Sequence, residues 1–255
     1  MTSARVAGRS LLGAALLLAG VACSSASPAG RATTSATKHS STTTAASAPA
    51  AEHPAYAAVV DAEAQVFAEP ASADAPFLTL ADRNENGAPQ TLLVRAERAL
   101  GGERWFQVLL PIRPNGSSGW VRSTQVHLVG LPYRLVVDQK AFRLEVFRGE
   151  ELLRSIAIGV GTDQTPTPGG TYYIKELLRP PDQDTVYGHY VFGLSGFSNV
   201  LVDWPGGGVL GIHGTNDPDH ALGHQVSHGC IRMRNDDIEY LATLLPLGTP
   251  VVISS

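Results

Sequence analysis

Charge is scarce in this 255-residue chain. Only 16% of the residues are Asp, Glu, Lys or Arg, the formal charge is -4, and no Lys/Arg tract occurs. The clustered cations that hold nucleic acid by phosphate neutralisation are therefore missing, and no nucleic-acid partner is expected. Cysteine is scarcer still, with Cys23 and Cys230 in contexts too different to suggest a disulfide between them. The longest apolar stretch near the start, Leu11 to Ala22, has twelve residues, too few for a helix to cross a hydrocarbon layer of about 30 Å. Strands alternating with helices, the mark of a parallel α/β sheet, are also absent. What remains is 44% hydrophobic residues with 26 glycines and 17 prolines, enough apolar chain for one large or two small domains rich in turns.

Residues 1–23 read as a lipoprotein-type signal. Arg5 and Arg9 precede the short apolar run without an acidic residue, and small residues lead to Cys23. This ending resembles the lipobox of bacterial lipoproteins, with Gly20 where Leu is usual. It implies lipidation of Cys23 and attachment to a membrane through that anchor alone; an ordinary cleaved signal with a chance cysteine is the other reading. Either places the protein outside the cytoplasm, anchored to the cell membrane or secreted to the wall. Residues 24–55 are nearly all Ser, Thr, Ala, Pro and Gly, a composition that predicts a disordered tether with a root-mean-square span of about 30 Å.

Residues 56–129 hold short apolar segments, among them Phe77 to Leu80, Thr91 to Val94, Trp105 to Leu110 and Gly119 to Val121, divided by Gly/Pro/Asn turns. This predicts a small all-β barrel. The run Arg104-Trp-Phe-Gln-Val-Leu followed by Gly119-Trp-Val-Arg resembles bacterial SH3-like domains. Trp105 and Trp120 are read as core, with recognition of wall polymer as the alternative. Residues 131–255 continue the β pattern: Arg134 to Asp138, Phe142 to Phe147 and Leu152 to Val160 are strands, with a hairpin turn at Arg148-Gly-Glu-Glu. One helix is predicted with Asn235 as N-cap and Ile238, Leu241 and Leu245 on one face, and a strand over Thr249 to Ile253 closes the chain.

Chemistry concentrates in Gly211-Ile-His-Gly-Thr-Asn and Ser227-His-Gly-Cys-Ile-Arg-Met. A lone thiol in an exported protein is exposed to oxidation and is best explained by reactivity. To be a nucleophile it needs an imidazole to take its proton and backbone amides aimed at the oxyanion. His213 and His228 are the available imidazoles, and Cys230 follows His213 by seventeen positions. His220, His224 and His228 recur every four residues, a zinc spacing if helical, but Gly223, Gly229 and the turn formers from Asn216 to Asp219 oppose a helix.

Together with the earlier Thr165-Pro-Thr-Pro-Gly-Gly, these two motifs resemble the YkuD-type L,D-transpeptidase catalytic domain of bacterial wall enzymes. The resemblance implies a mixed, mainly β sandwich with one or two helices. It implies Cys230 as nucleophile, His213 as base with the Gly214 carbonyl holding the ring, the amides of Gly229 and Cys230 as oxyanion donors, and His228 shaping the pocket. Ser227, Arg232, Tyr187, Tyr190 and Phe192 are candidates for substrate contact, the three aromatics with a core role equally open, and the stretch from Tyr172 to His213 would form a lid. No metal or cofactor is implied. The implied partners are peptidoglycan stem peptides as donor and acceptor: Cys230 attacks the L-centre carbonyl of the third residue of a tetrapeptide, expels D-Ala, and a second stem's amine resolves the thioester into a 3→3 cross-link. An L,D-carboxypeptidase passing the thioester to water, and a tethered wall-binding protein with an inactive catalytic domain, are the alternatives.

Overall fold

The computed structural model describes residues 55–203 and 206–254. The proposed signal, Cys23 and nearly all of the proposed tether lie outside the described residues. The protein is mainly β.

Short alternating segments build the first half of the described chain. β1 (Ala55–Val60), β2 (Glu63–Val66), β3 (Leu78–Ala81), β4 (Thr91–Leu100), β5 (Glu103–Leu109), β6 (Ser118–Arg122) and β7 (Val126–Leu131) follow in order. Five of them pair in the order β6-β5-β4-β1-β7, and β2 pairs with β3. Alternation puts Ala58, Leu92, Val108 and Val121 into one apolar core. Trp105 and Trp120 are both buried and form a separate cluster with Phe67, whose ring meets Trp105 edge-on at 5.5 Å. Arg122 stacks over Phe67 and Trp105, and Arg98 over Trp120. Both tryptophans are thus core residues, which removes them as exposed recognition groups.

One residue, Pro132, separates β7 from the next strand. β8 (Tyr133–Asp138), β9 (Arg143–Arg148), β10 (Glu151–Ala157), β11 (Val160–Gly161), β12 (Gly170–Leu178), β13 (Val191–Phe197) and β14 (Val209–His213) follow. The chain ends with α1 (Pro218–Ala221), β15 (Gln225–Ser227), β16 (Ile231–Arg232), α2 (Asn235–Leu244) and β17 (Pro250–Ser254). Eight strands make one mixed sheet, β10-β9-β8-β17-β12-β13-β14-β16, and β11 pairs with β15. The sheet curls, so that Leu135 and Val146 from one end share a core with Phe192, Leu194 and Ile212 from the other. Ile238, Leu241 and Leu245 of the last helical segment plug that core, as their spacing predicts.

Asn235 does not cap this helix. Arg234 occupies the N-cap without a side-chain bond. The Asn235 amide instead donates to Asn216 Oδ1 at 2.7 Å and its oxygen accepts the His189 N–H at 3.3 Å. Tertiary demand has taken the side chain that local propensity assigned to the cap. The expectation of no helix between the histidines also needs correction. α1 forms over four residues with Pro218 in its first turn, but it stops before Gly223 and gathers no histidine trio.

The two sheets belong to one compact body. Tyr173 on β12, fully buried, packs into the core of the first sheet while its neighbours Tyr172 and Ile174 face the second. Its hydroxyl is buried without a hydrogen-bond partner, and burial with the nearby Glu85 carboxylate pushes the phenol above its ordinary pKa. From the first sheet, the β5–β6 loop grips the chain beyond β13. Arg113 donates to the Ser198 and Gly207 carbonyls at 2.7 and 2.9 Å, and Asn115 exchanges two hydrogen bonds with the Phe197 backbone. Because the unsatisfied hydroxyl costs more than it returns, Tyr173→Phe should raise stability by about 1 kcal/mol. Tyr173→Ala should lower it by about 3–5 kcal/mol through the cavity it leaves, both read from urea unfolding midpoints.

Candidate active site

The register of the sheet assembles the site. β14 and β16 run parallel with Ile212 opposite Ile231 and His213 opposite Arg232. On the other side, β13 sets Val191 against His213, Phe192 against Ile212 and Gly193 against Gly211. Since strand residues alternate faces, Phe192, Ile212 and Ile231 point into the core, where all three are almost fully buried. The intervening set, Val191, Gly193, Gly211, His213 and Arg232, lines a cavity of about 770 Å³ that also contains Cys230, Ser227, His228 and Tyr187. Cys230 precedes Ile231 and so sits beside Gly211, one diagonal step from His213 on the same face.

The same parity corrects two expectations. Phe192 is a core side chain with no exposure. Tyr190, two residues earlier, packs against the same core and carries Arg179 over its ring at 6.0 Å. Of the three aromatic candidates, only Tyr187 lines the cavity, its ring edge-on to His213 at a centroid distance of 5.2 Å. The lid expectation is also narrowed. Residues 170–178 and 191–197 are strands of the main sheet, and Tyr172 is buried in the core. Among the described residues, the connections after β12 and β13 line the cavity through Pro181, Val186 and Tyr187 and through Ser198, Leu201 and Gly208.

His213 is 2% exposed, and its Nδ1 lies 2.7 Å from the Gly214 carbonyl oxygen. A carbonyl can only accept, so Nδ1 carries the hydrogen and Nε2 keeps its lone pair. Burial depresses the pKa to about 4, against the Gly214 bond, which raises it, and with help from the Arg232 charge. For Cys230, burial pushes the thiol pKa up, while the Gly211 N–H and Arg232 pull the other way. At neutral pH the pair therefore rests as thiol and neutral imidazole rather than thiolate and imidazolium. Such an imidazole can accept the thiol proton as attack proceeds.

The turn into Cys230 is braced from below. Gly229 has φ +112°, a conformation that side-chain-bearing residues rarely adopt. The Thr167 hydroxyl donates to the Gly229 carbonyl and accepts the Gly161 N–H, both at 2.9 Å. The Thr165 hydroxyl donates to the Ser227 carbonyl at 3.0 Å. This is the physical content of the Thr165-Pro-Thr-Pro segment, which fixes the carbonyls flanking the turn. Ser227 itself donates to the Cys230 carbonyl at 2.5 Å and accepts the Gly229 N–H at 3.1 Å. Its hydroxyl is thus committed to the turn rather than offered to substrate. The Gly229 amide, expected to face an oxyanion, is turned onto Ser227 instead. Arg232 lines the cavity, and its Nε is buried without a partner.

Connection 179–190, which carries Tyr187, is tied to the His213 strand through Asn216, which donates to the Gln183 carbonyl at 2.7 Å, and through Asn235. Of the three spaced histidines, His220 is exposed and pairs with Asp217 at 2.7 Å, and His228 faces the cavity. Among the described residues no group of three or more His, Cys, Asp or Glu could hold a metal ion. Sequence reasoning missed Glu85, Asn86, Lys175 and Glu176, which also line the cavity; polar residues in a strand and a distant loop carry no local signal of meeting.

The depressed His213 pKa has a sign that stability measures. Unfolded, the ring binds a proton near pH 6.5; folded, only near pH 4. The unfolded chain thus holds more protons between these values, so the contribution is complete above pH 6.5 and is lost as pH falls toward 4, on the order of 3 kcal/mol in all. His213→Gln should flatten the pH dependence of unfolding free energy across this window; an unchanged slope refutes the assignment.

Residues 132–253 match the family model described as the L,D-transpeptidase catalytic domain, YkuD. The YkuD protein of Bacillus licheniformis is 33% identical over 155 residues, covering 58% of this chain and 86% of that relative. That of Bacillus subtilis is 33% identical over 152 residues, covering 57% and 84%, and the YqjB protein of the same organism is 30% identical over 159, covering 58% and 81%. All three carry L,D-transpeptidase in their names. With most of each relative's length matched, this chain belongs to the L,D-transpeptidase (YkuD) family.

Proposed function

We propose that the protein is an exported peptidoglycan L,D-transpeptidase that forms 3→3 cross-links through a thioester on Cys230 and releases D-Ala. The observation that carries this is the diagonal placement of Cys230 and His213 on one face of β14 and β16, opening to one cavity. His213 Nε2 takes the thiol proton while sulfur attacks the L-centre carbonyl carbon of the donor's third residue. The oxyanion is held by the Cys230 amide and the Arg232 charge, since the Gly229 amide is bonded to Ser227. Collapse breaks the amide bond, the leaving D-Ala amine takes the proton from His213, and the thioester remains. An acceptor amine then loses a proton to His213, attacks the thioester and returns the thiol. Two acyl transfers of similar energy need no external energy source. His228 and Tyr187 line the cavity and shape its entrance.

In this reading the signal and the lipidated Cys23 place the enzyme outside the cytoplasm on a tether, and the first sheet is the SH3-like module that the sequence resembles.

Tetrapeptide stems should give a cross-linked dimer with loss of D-Ala, read by mass spectrometry. Cys230→Ala should abolish the reaction and the thioester adduct. His213→Ala should slow it by roughly 10²- to 10⁴-fold. Tripeptide without dimer would replace the transferase by the carboxypeptidase, and an adduct surviving in Cys230→Ala would overturn the nucleophile.

A further inference from the structure

Glu176 is a carboxylate only 3% exposed on the wall of the cavity, and the reaction above gives it no task. Its position is set by a β-bulge. The β12–β13 ladder pairs Ile174 with Leu194 and then Glu176 with Gly193, leaving Lys175 extra. In a regular strand these consecutive residues would point to opposite faces; here Lys175 Nζ lies 3.5 Å from Glu176 Oε1. The other carboxylate oxygen accepts from Asn84 Nδ2 at 2.9 Å and Asn86 Nδ2 at 2.8 Å. These asparagines belong to the β3–β4 loop of the first sheet. That loop is itself fixed by the Asn84 side chain, which accepts the Asn86 and Ala88 N–H groups. Lys175 also pairs with Glu85 of the loop. The cluster therefore holds two carboxylates against one ammonium at its end of the cavity, while the other cations of the lining, Arg179 and Arg232, lie outside the cluster.

The register joins this charge to the thiol. Glu176 pairs with Gly193, Gly193 with Gly211, and Cys230 comes next in the row. A Cβ added to Gly193 would overlap the Glu176 carboxylate, and one added to Gly211 would lie 3.7 Å from Cys230 Sγ. The carboxylate thus already covers Gly193, and the backbone left open between it and the sulfur is that of Gly211, a gap of between one and two strand spacings, or roughly 5–10 Å. A substrate that lies along it presents a carbonyl to the sulfur and an ammonium to Glu176, joined by a slim unbranched chain. In a third residue of lysine length that bears a terminal side-chain amine, the L-centre carbonyl carbon and that amine are six bonds apart, about 7–8 Å when extended.

We propose that Glu176, held by Asn84 and Asn86, is a specificity-determining residue that seats the side-chain ammonium of the donor's third residue while its methylenes cross Gly211. The inference rests on the transpeptidase reading and deepens it. It also gives a reason why a bound donor does not act as its own acceptor: its amine stays protonated and paired.

The test compares two tetrapeptide donors, one with lysine and one with norleucine at the third position, matched except for the amine. Acylation of Cys230 is followed by mass spectrometry and counted per thiol titrated with an amine-free penem. The wild type should prefer the lysine donor by roughly tenfold or more, the worth of a charge-assisted hydrogen bond. Glu176→Gln should bring the two within about twofold. Should that variant not fold, Asn86→Ala, on an exposed loop, carries the test and should reduce the preference several-fold. A preference retained in both variants, or none in the wild type, overturns the proposal. So does a defect confined to the acceptor step, with donor acylation unchanged. Failure of the transpeptidase reading looks different: neither donor nor penem forms an adduct on Cys230.

Discussion

Two residue pairs across one parallel ladder, Ile212 with Ile231 and His213 with Arg232, hold the site together. The aliphatic pair anchors both strands in the core, and the period of two then leaves no freedom about where the polar pair and Cys230 face. Sixteen residues of α1, β15 and turn separate His213 from Cys230. Their conformation matters only in delivering β16 to this register. A slip of one residue would put the imidazole into the core and an isoleucine into the cavity.

Around this ladder the chain restricts water more than it supplies charge. His213 rests neutral because it is buried, and Cys230 rests as a thiol for the same reason. A neutral pair is cheaper to bury than an ion pair, and it builds charge only as a bond to substrate forms. Arg232 is the nearby permanent cation, and it disfavours a proton on His213 while favouring a thiolate on Cys230. The bracing of the Cys230 turn by Thr165, Thr167 and Ser227 is correspondingly hydrogen-bonded rather than ionic.

The first sheet is part of the cavity rather than an appendage. Its β3–β4 loop meets Lys175 and Glu176, its β5–β6 loop holds the Ser198 and Gly207 carbonyls, and its core accepts Tyr173. The two loop contacts cross between residues 85 to 94 positions apart. Removal of this sheet would leave two charged side chains and an aromatic ring without their surroundings, so the catalytic region depends on it for the shape of one wall.

What the sequence alone determined is local. Alternation gave the strands, the hairpin at Gly149 and the apolar face of α2, and the paired histidine and cysteine motifs pointed to His213 and Cys230, because strand period and motif spacing are properties of neighbouring residues. What only the tertiary structure decided is which polar groups meet. Asn235 left the helix cap for Asn216 and His189, Phe192 went to the core by parity, Gly229 spent its amide on Ser227, and Glu176 found Asn84 and Asn86. In each case a side chain with several possible partners was settled by the register between strands far apart in the chain, and hydrogen-bonding capacity read from sequence does not contain that register.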